Sequence, residues 1–138
     1  MGKHEMRQKV IRRISRFEIT KQDIDKLIRT GNFLYSPDRD PSCGEPYASI
    51  KKTIESFSER KRYDLMCLMY LGRNIAYTGF TDEAVEDFCF YADAWKKYAK
   101  LGKKVPYGGT DSEYLAGKRH IARWLILVKE ALQPSCWN

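Results

Sequence analysis

The chain has 138 residues, of which 43% are hydrophobic and 31% are charged, and its formal net charge at pH 7 is +7. This length and apolar content predict a single domain, residues 1–138, with a substantial hydrophobic core. The sequence has no apolar run of the roughly 18 residues that a transmembrane helix needs, and its first residues lack the apolar region of a secretory signal, so we expect a cytoplasmic protein.

The first predicted helix is basic and amphipathic and covers about residues 3–17. Apolar side chains recur there at helical spacing, which predicts one narrow buried face. The other face is either simply solvated, or it binds a phosphate backbone, an anionic membrane surface or a partner's groove. The apolar positions are Met6, Val10, Ile14 and Phe17, and the cationic ones are Lys3, Arg7, Lys9, Arg12, Arg13 and Arg16.

Two more helices are predicted before the middle of the chain. Thr20 and Asp23 have the spacing of a capping box for a helix that Gly31 ends. Residues 33–46 hold three prolines, which predicts an irregular loop, longer than most and mobile. Pro46 suits the first turn of the next helix, whose apolar face is Tyr47, Ile50, Ile54 and Phe57.

The most apolar run of the chain predicts a central helix over about residues 59–71. Leu, Met and Cys without a β-branched residue favour a helix over a strand, and a helix that is apolar nearly all round must be buried nearly all round. Asp64 is the one charge between Tyr63 and Leu71. Ser58 is placed to cap the start of this helix, and Gly72 is placed to end it.

The same run carries a family resemblance. Asp64-Leu65-x-x-Leu68-Met69-Tyr70-Leu71-Gly72-Arg73 resembles the D-L-x-x-L-M-W-L-G-R segment of the DUF3775 family, small bacterial proteins of unknown function. Glu113-Tyr114-Leu115-Ala116-Gly117, with the helical run that ends at Leu132, is more weakly similar to the family's Y-L-L-G-x-P-L-L segment. The resemblance spans about residues 20–132 and implies a shared fold without an assigned activity. The family is usually acidic, whereas this chain is basic.

The second half predicts a long helix and a final one. Residues 72–80 read as a turn-rich connection, after which Thr81 caps a helix with acids in its first turns and lysines at and beyond its end, as the helix dipole favours. A glycine-containing loop and a short helix capped at Thr110 follow. The last helix is predicted from about Lys118 to Leu132, with Pro134 stopping it.

Together these patterns predict an all-α fold, a compact bundle of about six helices around the central one. Cys43, Cys67, Cys89 and Cys136 lie far apart in sequence, and none forms a C-x-x-C pair. Four free thiols of a reducing compartment are therefore expected.

Charge is distributed unevenly along the chain. Nine basic and four acidic residues give +5 over residues 1–30, seven and eleven give −4 over 31–93, and nine and three give +6 over 94–138. The two positive ends form one basic surface if they meet in the fold; alternatively, they dock on the acidic middle. The predicted binding residues are Arg12, Arg13, Arg16, Lys100, Lys103 and Lys104.

Signals for catalysis are weak. His4 and His120 have no cysteine near them, and the acids that follow Thr81 lack the Glu-x-x-His pattern of bundle metal sites, so neither a metal nor a cofactor is predicted. No nucleophile motif or phosphate-binding loop is recognisable. The turn at Gly108-Gly109 either leads plainly into a capped helix or binds an anion through its N–H groups.

The sequence therefore favours a non-catalytic helical binding module, with protein–protein interaction as the first hypothesis. Nucleic-acid binding through the basic ends is the alternative, because nine Tyr, six Phe and three Trp among 25 basic residues suit base stacking and phosphate contact. An enzyme with an anion site at Gly108-Gly109 is the third. The expected partner is a protein or nucleic acid with an anionic surface, and the oligomeric state stays open.

Overall fold

A computed structural model describes residues 2–34, 46–100, 115, 118 and 120–133, apart from the side chains of 32–34, 46–47 and 98–100. Within these ranges the fold is helical and contains no strand, which confirms the all-α prediction. The helices are α1 (Lys3–Ile14), α2 (Lys21–Leu34), α3 (Pro46–Glu55), α4 (Glu59–Thr78), α5 (Asp82–Asp93), α6 (Trp95–Lys100) and α7 (Ile121–Leu132).

Helix α4 lies at the centre of the fold, as its composition predicts. Leu65, Leu68 and Met69 are completely inaccessible to solvent, and α5 and α7 both pack against the helix. Ser58 caps its start, because the Ser58 Oγ accepts a hydrogen bond of 3.1 Å from the Lys61 N–H. The buried apolar side chains of the described residues form one cluster around α4, with contributions from every helix except the short α6.

The predicted end of the central helix is wrong. Helix α4 continues through Gly72 for two more turns, and Gly79, with φ of +86°, ends it. Gly72 is instead buried against the backbone of Trp124 in α7, where a β-carbon would lie 2.5 Å from the Trp124 carbonyl carbon. The glycine therefore allows two helices to approach closely and does not terminate one.

The predicted end of α2 at Gly31 is also wrong, because Gly31 lies at a second close contact between helices. Gly31 lies within this helix, which continues to Leu34, and a β-carbon there would lie 2.6 Å from the Ala122 β-carbon of α7. The capping box at the start of α2 is confirmed, since Thr20 Oγ1 accepts from the Asp23 N–H at 3.1 Å and Asp23 Oδ2 accepts from the Thr20 N–H at 3.0 Å. Helix α7 thus packs between α2 and α4 through small residues.

The helix predicted from Thr81 divides in two. Thr81 caps α5 as expected, by accepting a hydrogen bond of 3.2 Å from the Ala84 N–H, but α5 ends at Asp93. Ala94 forms the turn before α6, and Trp95 then packs against the Tyr63 ring with centroids 5.1 Å apart. Contact with the side of α4 therefore redirects the chain at this point.

Two other boundaries shift. Helix α1 stops at Ile14, three residues before the predicted end, because the chain turns there toward α4. Helix α7 starts at Ile121 and not at Lys118, and the Lys118 carbonyl accepts a hydrogen bond from the Ile121 N–H at 3.1 Å. Most of the 33–46 segment, the Gly108-Gly109 turn, Thr110 and Pro134 lie outside the described residues. None of the described helices combines the length and apolarity that a membrane crossing requires.

Candidate functional site

A cavity of about 360 Å³ opens where the end of α1, the start of α4 and the junction of α5 and α6 meet. Four cationic side chains line it, with one carboxylate and two aromatic rings. We call it the basic cleft, and its lining consists of Arg13, Arg16, Phe17, Arg60, Ala92, Asp93, Trp95 and Lys96.

The amphipathic pattern of α1 explains how its arginines reach the cleft. Met6, Val10 and Ile14 are buried, and α1 packs against α5. Phe17 follows in the turn after α1 and packs edge-on against Phe88 of α5, with ring centroids 5.9 Å apart. This anchoring leaves the cationic side of the C-terminal turn of α1 beside the start of α6.

Arg13 connects α1 to the end of α5. Its Nε lies 3.3 Å from Asp93 Oδ1 and its Nη2 lies 3.1 Å from Asp93 Oδ2, so the two groups form a two-pronged pair. The hydrogen bonds that Arg13 donates to Asp93 raise the pKa of Arg13, which keeps the guanidinium charged. Because the Asp93 side chain is 52% exposed, the pair contributes little to stability, on the order of 0–1 kcal/mol.

The fully buried carboxylate of Asp64 faces the Arg60 guanidinium on the protein side of the cleft. The Arg60 Nε lies 2.8 Å from Asp64 Oδ1, as an ion pair whose N–H does not point at that oxygen with hydrogen-bond geometry. Asp64 Oδ2 accepts hydrogen bonds from the N–H groups of Glu18 at 2.7 Å and Ile19 at 3.1 Å. Desolvation raises the pKa of Asp64, although Arg60 and the two N–H groups oppose that shift. Asp64 thereby fixes both the turn after α1 and the guanidinium that lines the cleft.

The two aromatic rings of the cleft are already packed. The Arg60 guanidinium carbon lies 4.9 Å from the Trp95 ring centroid and 5.7 Å from that of Phe17, so it makes cation–π contacts with both. Trp95 also packs on Tyr63, whose hydroxyl donates to the Tyr91 carbonyl at 2.7 Å. These contacts orient Arg60 and place its guanidinium against one face of each ring.

Only some of the predicted binding residues line the basic cleft. Arg13 and Arg16 line the cleft, whereas Arg12 is exposed on α1 and outside its lining. Lys100 is the last residue of α6, but the structure does not describe its side chain. Lys103 and Lys104 lie outside the described part of the chain. The end of α1 and the start of α6 do come together, and Lys96 is the lysine that brings the second basic segment to the cleft.

Sequence reasoning missed Lys96, Arg60 and the role of Asp64. The available signal was a single acid inside an apolar run, four residues after an arginine, which is the spacing of an ion pair on one helix face. A charge at a fully buried position requires a partner, so this pair could have been inferred. The contribution of Trp95 could not, because it depends on the turn at Ala94.

The described residues outside the cleft bear on the metal and thiol chemistry considered from the sequence. No group of three or more His, Cys, Asp or Glu side chains there could hold a metal ion. Cys67 is a free thiol whose pKa is raised by burial, and Cys89 is free and only partly buried. Cys43 and Cys136 lie outside the described ranges.

Comparison of the chain with protein families, curated proteins and solved structures finds no match. The resemblance to the DUF3775 family therefore stays a prediction from the residues that carry it, and the function is argued from the cleft.

Proposed function

We propose that the protein is a non-catalytic binding module that docks an acidic segment of a partner protein in the basic cleft. The observation that supports the proposal is the convergence of cationic side chains from α1, α4 and α6 on one cavity, with Asp93 as the one acid in its lining. Cations that face a shared concave surface raise the local potential and steer anionic groups toward it.

The packing inside the cleft favours a protein partner over a nucleic acid. Single strands bind through bases stacked on aromatic side chains, and both rings of the cleft already make a cation–π contact with Arg60 that a stacked base would have to compete with. Besides Asp93, four carboxylates are exposed on α5, the helix that packs against α1, and they would repel an extended phosphate backbone. These acids are Asp82, Glu83, Glu86 and Asp87.

The sequence-based hypotheses of nucleic-acid binding and of an enzyme with an anion site at Gly108-Gly109 remain predictions. The first is an outcome of the test below. The second concerns residues that the structure does not describe.

The test is fluorescence anisotropy with a labelled twelve-residue peptide of alternating Glu and Gly, and with a labelled duplex DNA, across a salt series. Lys96→Glu is the cleft variant, and Lys97→Glu is its control, because Lys97 is exposed one residue further on and does not line the cleft. Arg16→Glu is paired in the same way with Arg123→Glu on α7. Arg13 is left intact, since a glutamate there would face Asp93.

We expect the cleft variants to weaken peptide binding by about tenfold, because each reversal removes an attraction and adds a repulsion. The controls, with the same change in net charge, should weaken it by less than about threefold, because their exposed side chains do not line the cleft and salt screens them. Equal losses in cleft and control variants would show that net charge alone drives association and would overturn the proposal. Tighter binding of DNA, lost in the cleft variants, would favour the nucleic-acid hypothesis.

A further inference from the structure

We propose that the acidic group which this cleft selects is the phosphomonoester of a phosphorylated serine or threonine in the partner protein, with Arg60 as the fixed guanidinium that grips it. The inference rests on the proposed function and specifies its ligand. Two observations support it: the balance of positive and negative charges in the cleft, and the contacts that fix the position of the Arg60 guanidinium.

The charge balance calls for a doubly charged anion. Four cations line the cleft, and two carboxylates oppose them, Asp93 at the rim and Asp64 beneath Arg60. The Asp64 carboxylate accepts two N–H hydrogen bonds and faces the Arg60 guanidinium, and these contacts favour its charged form against the desolvation that opposes it. Two positive charges are therefore left uncompensated. A phosphomonoester carries about −1.5 to −2 charges at pH 7 and compensates both, whereas a carboxylate or a phosphodiester compensates one.

Arg60 is arranged as a preorganised phosphate-binding side chain. Its Nε lies 2.8 Å from Asp64 Oδ1, and its side chain is 20% exposed, so the guanidinium is accessible from the cleft. The Nη groups lie at the far end of a planar guanidinium whose position is fixed by Asp64 and by the rings of Trp95 and Phe17. A guanidinium so held presents parallel N–H donors to two phosphate oxygens and loses little side-chain entropy on binding.

The same contacts argue for phosphoserine or phosphothreonine over phosphotyrosine. A phosphotyrosine ring needs an apolar or aromatic wall beside the phosphate pocket. Here the Trp95 and Phe17 rings are occupied by the Arg60 guanidinium, at 4.9 and 5.7 Å. The short stems of serine and threonine need no such wall, so the phosphate itself supplies the recognition.

The test is a ¹H–¹⁵N NMR titration of the full chain with three small probes. N-acetyl-O-phosphoserine amide carries the proposed dianion, N-acetylglutamate amide is the matched carboxylate, and dimethyl phosphate is a phosphodiester monoanion. We expect phosphoserine to saturate at a concentration about tenfold lower than the two monoanions, since charge-assisted and two-pronged bonds are the stronger ones. The shifts should centre on Arg16, Arg60 and Lys96 and spare Lys97 and Arg123.

Two variants test the role of Arg60. Arg60→Lys keeps the charge but loses the planar fork, so the tenfold preference for phosphoserine over glutamate should fall to about twofold or less. Lys96→Glu lies on the surface, leaves the buried pair intact and should weaken phosphoserine binding by about tenfold. It keeps the test valid should Arg60→Lys fail to fold, which circular dichroism would reveal.

The outcomes separate the two proposals. Equal affinity for all three probes, reduced by Lys96→Glu, would overturn phosphate selection and leave the anion-docking function standing. Dimethyl phosphate binding as tightly as phosphoserine would point to recognition of phosphate oxygens without the double charge, and so to a nucleic-acid backbone. No shift at the cleft with any probe would overturn both proposals.

Discussion

Replacing Gly72 by alanine tests whether α4 and α7 are packed as closely as the fold requires. An added β-carbon would clash with the carbonyl oxygen of Trp124 and would lie 2.5 Å from its carbonyl carbon and 2.7 Å from its β-carbon. These atoms belong to the backbone and first side-chain carbon of α7, so a change of rotamer cannot move them. The helices would have to separate, since ordinary carbon contacts are about 3.5–4.0 Å long.

Two opposing effects set the magnitude. Alanine in place of glycine inside a helix ordinarily stabilises a protein by about 1 kcal/mol. Overpacking a core costs about 1–3 kcal/mol and occasionally more, and a backbone clash belongs at the upper end of that range. Separating α7 from α4 also loosens the contacts of Leu125 and Val128, which are completely buried. We therefore expect Gly72→Ala to lower the free energy of unfolding by a net amount of about 2 kcal/mol.

The assay is urea denaturation, followed by circular dichroism and by tryptophan fluorescence. Ala76→Gly, at an exposed position of the same helix, is the control and should cost about 1 kcal/mol through helix propensity alone. A Gly72→Ala protein as stable as the wild type, or more stable, would refute the packing argument. The sequence-based assignment of a helix end at Gly72 would then be preferable.

Three further predictions follow from the core. Leu68→Ala should lower the free energy of unfolding by about 2–5 kcal/mol in the same assay, because Leu68 is fully buried, and a loss below about 1 kcal/mol would contradict its central position. In a variant with Cys43 and Cys136 changed to serine, Cys89 should react slowly with a thiol reagent in the native protein, whereas Cys67 should react only after denaturant is added. Equal reaction rates of the two thiols in the native protein would contradict the burial that raises the pKa of Cys67. Burial raises the pKa of Asp64, so the folded protein binds that proton more tightly than the unfolded chain does. The stabilisation that this tighter proton binding supplies is fully present below the pKa of about 4 that Asp64 has in the unfolded chain. It is lost as the pH rises through the higher pKa that Asp64 has in the folded protein. The stability of the wild type relative to Asp64→Asn should therefore fall as pH rises from about 4, and parallel profiles in urea denaturation would refute it.

Local patterns in the sequence were sufficient where one short-range effect dominated. The apolar run of α4, the capping residues Ser58, Thr20 and Thr81, and the narrow stripe of α1 all formed the elements that they predicted. Each depends on residues within one or two turns of each other, so neighbouring chain segments did not need to be known.

The boundary errors came from contacts between helices. Gly72 and Gly31 have the composition of helix ends, but their role is to admit the backbone of Trp124 and the side chain of Ala122 from α7. A glycine ends a helix or allows close packing according to what lies across from it, and that partner is 50 or more residues away in sequence. Helix α5 likewise ended early because Trp95 contacts α4.

The sequence by itself determined that this is a basic, helical protein with a central buried helix, because composition and periodicity act over a few residues. It also placed two of the cleft residues, Arg13 and Arg16, among the predicted binding positions. Only the tertiary structure decided that these arginines meet Arg60 and Lys96 in one cavity. That convergence depends on α1 packing against α5, on the turn at Ala94 and on the buried carboxylate of Asp64, contacts that join residues up to 80 positions apart.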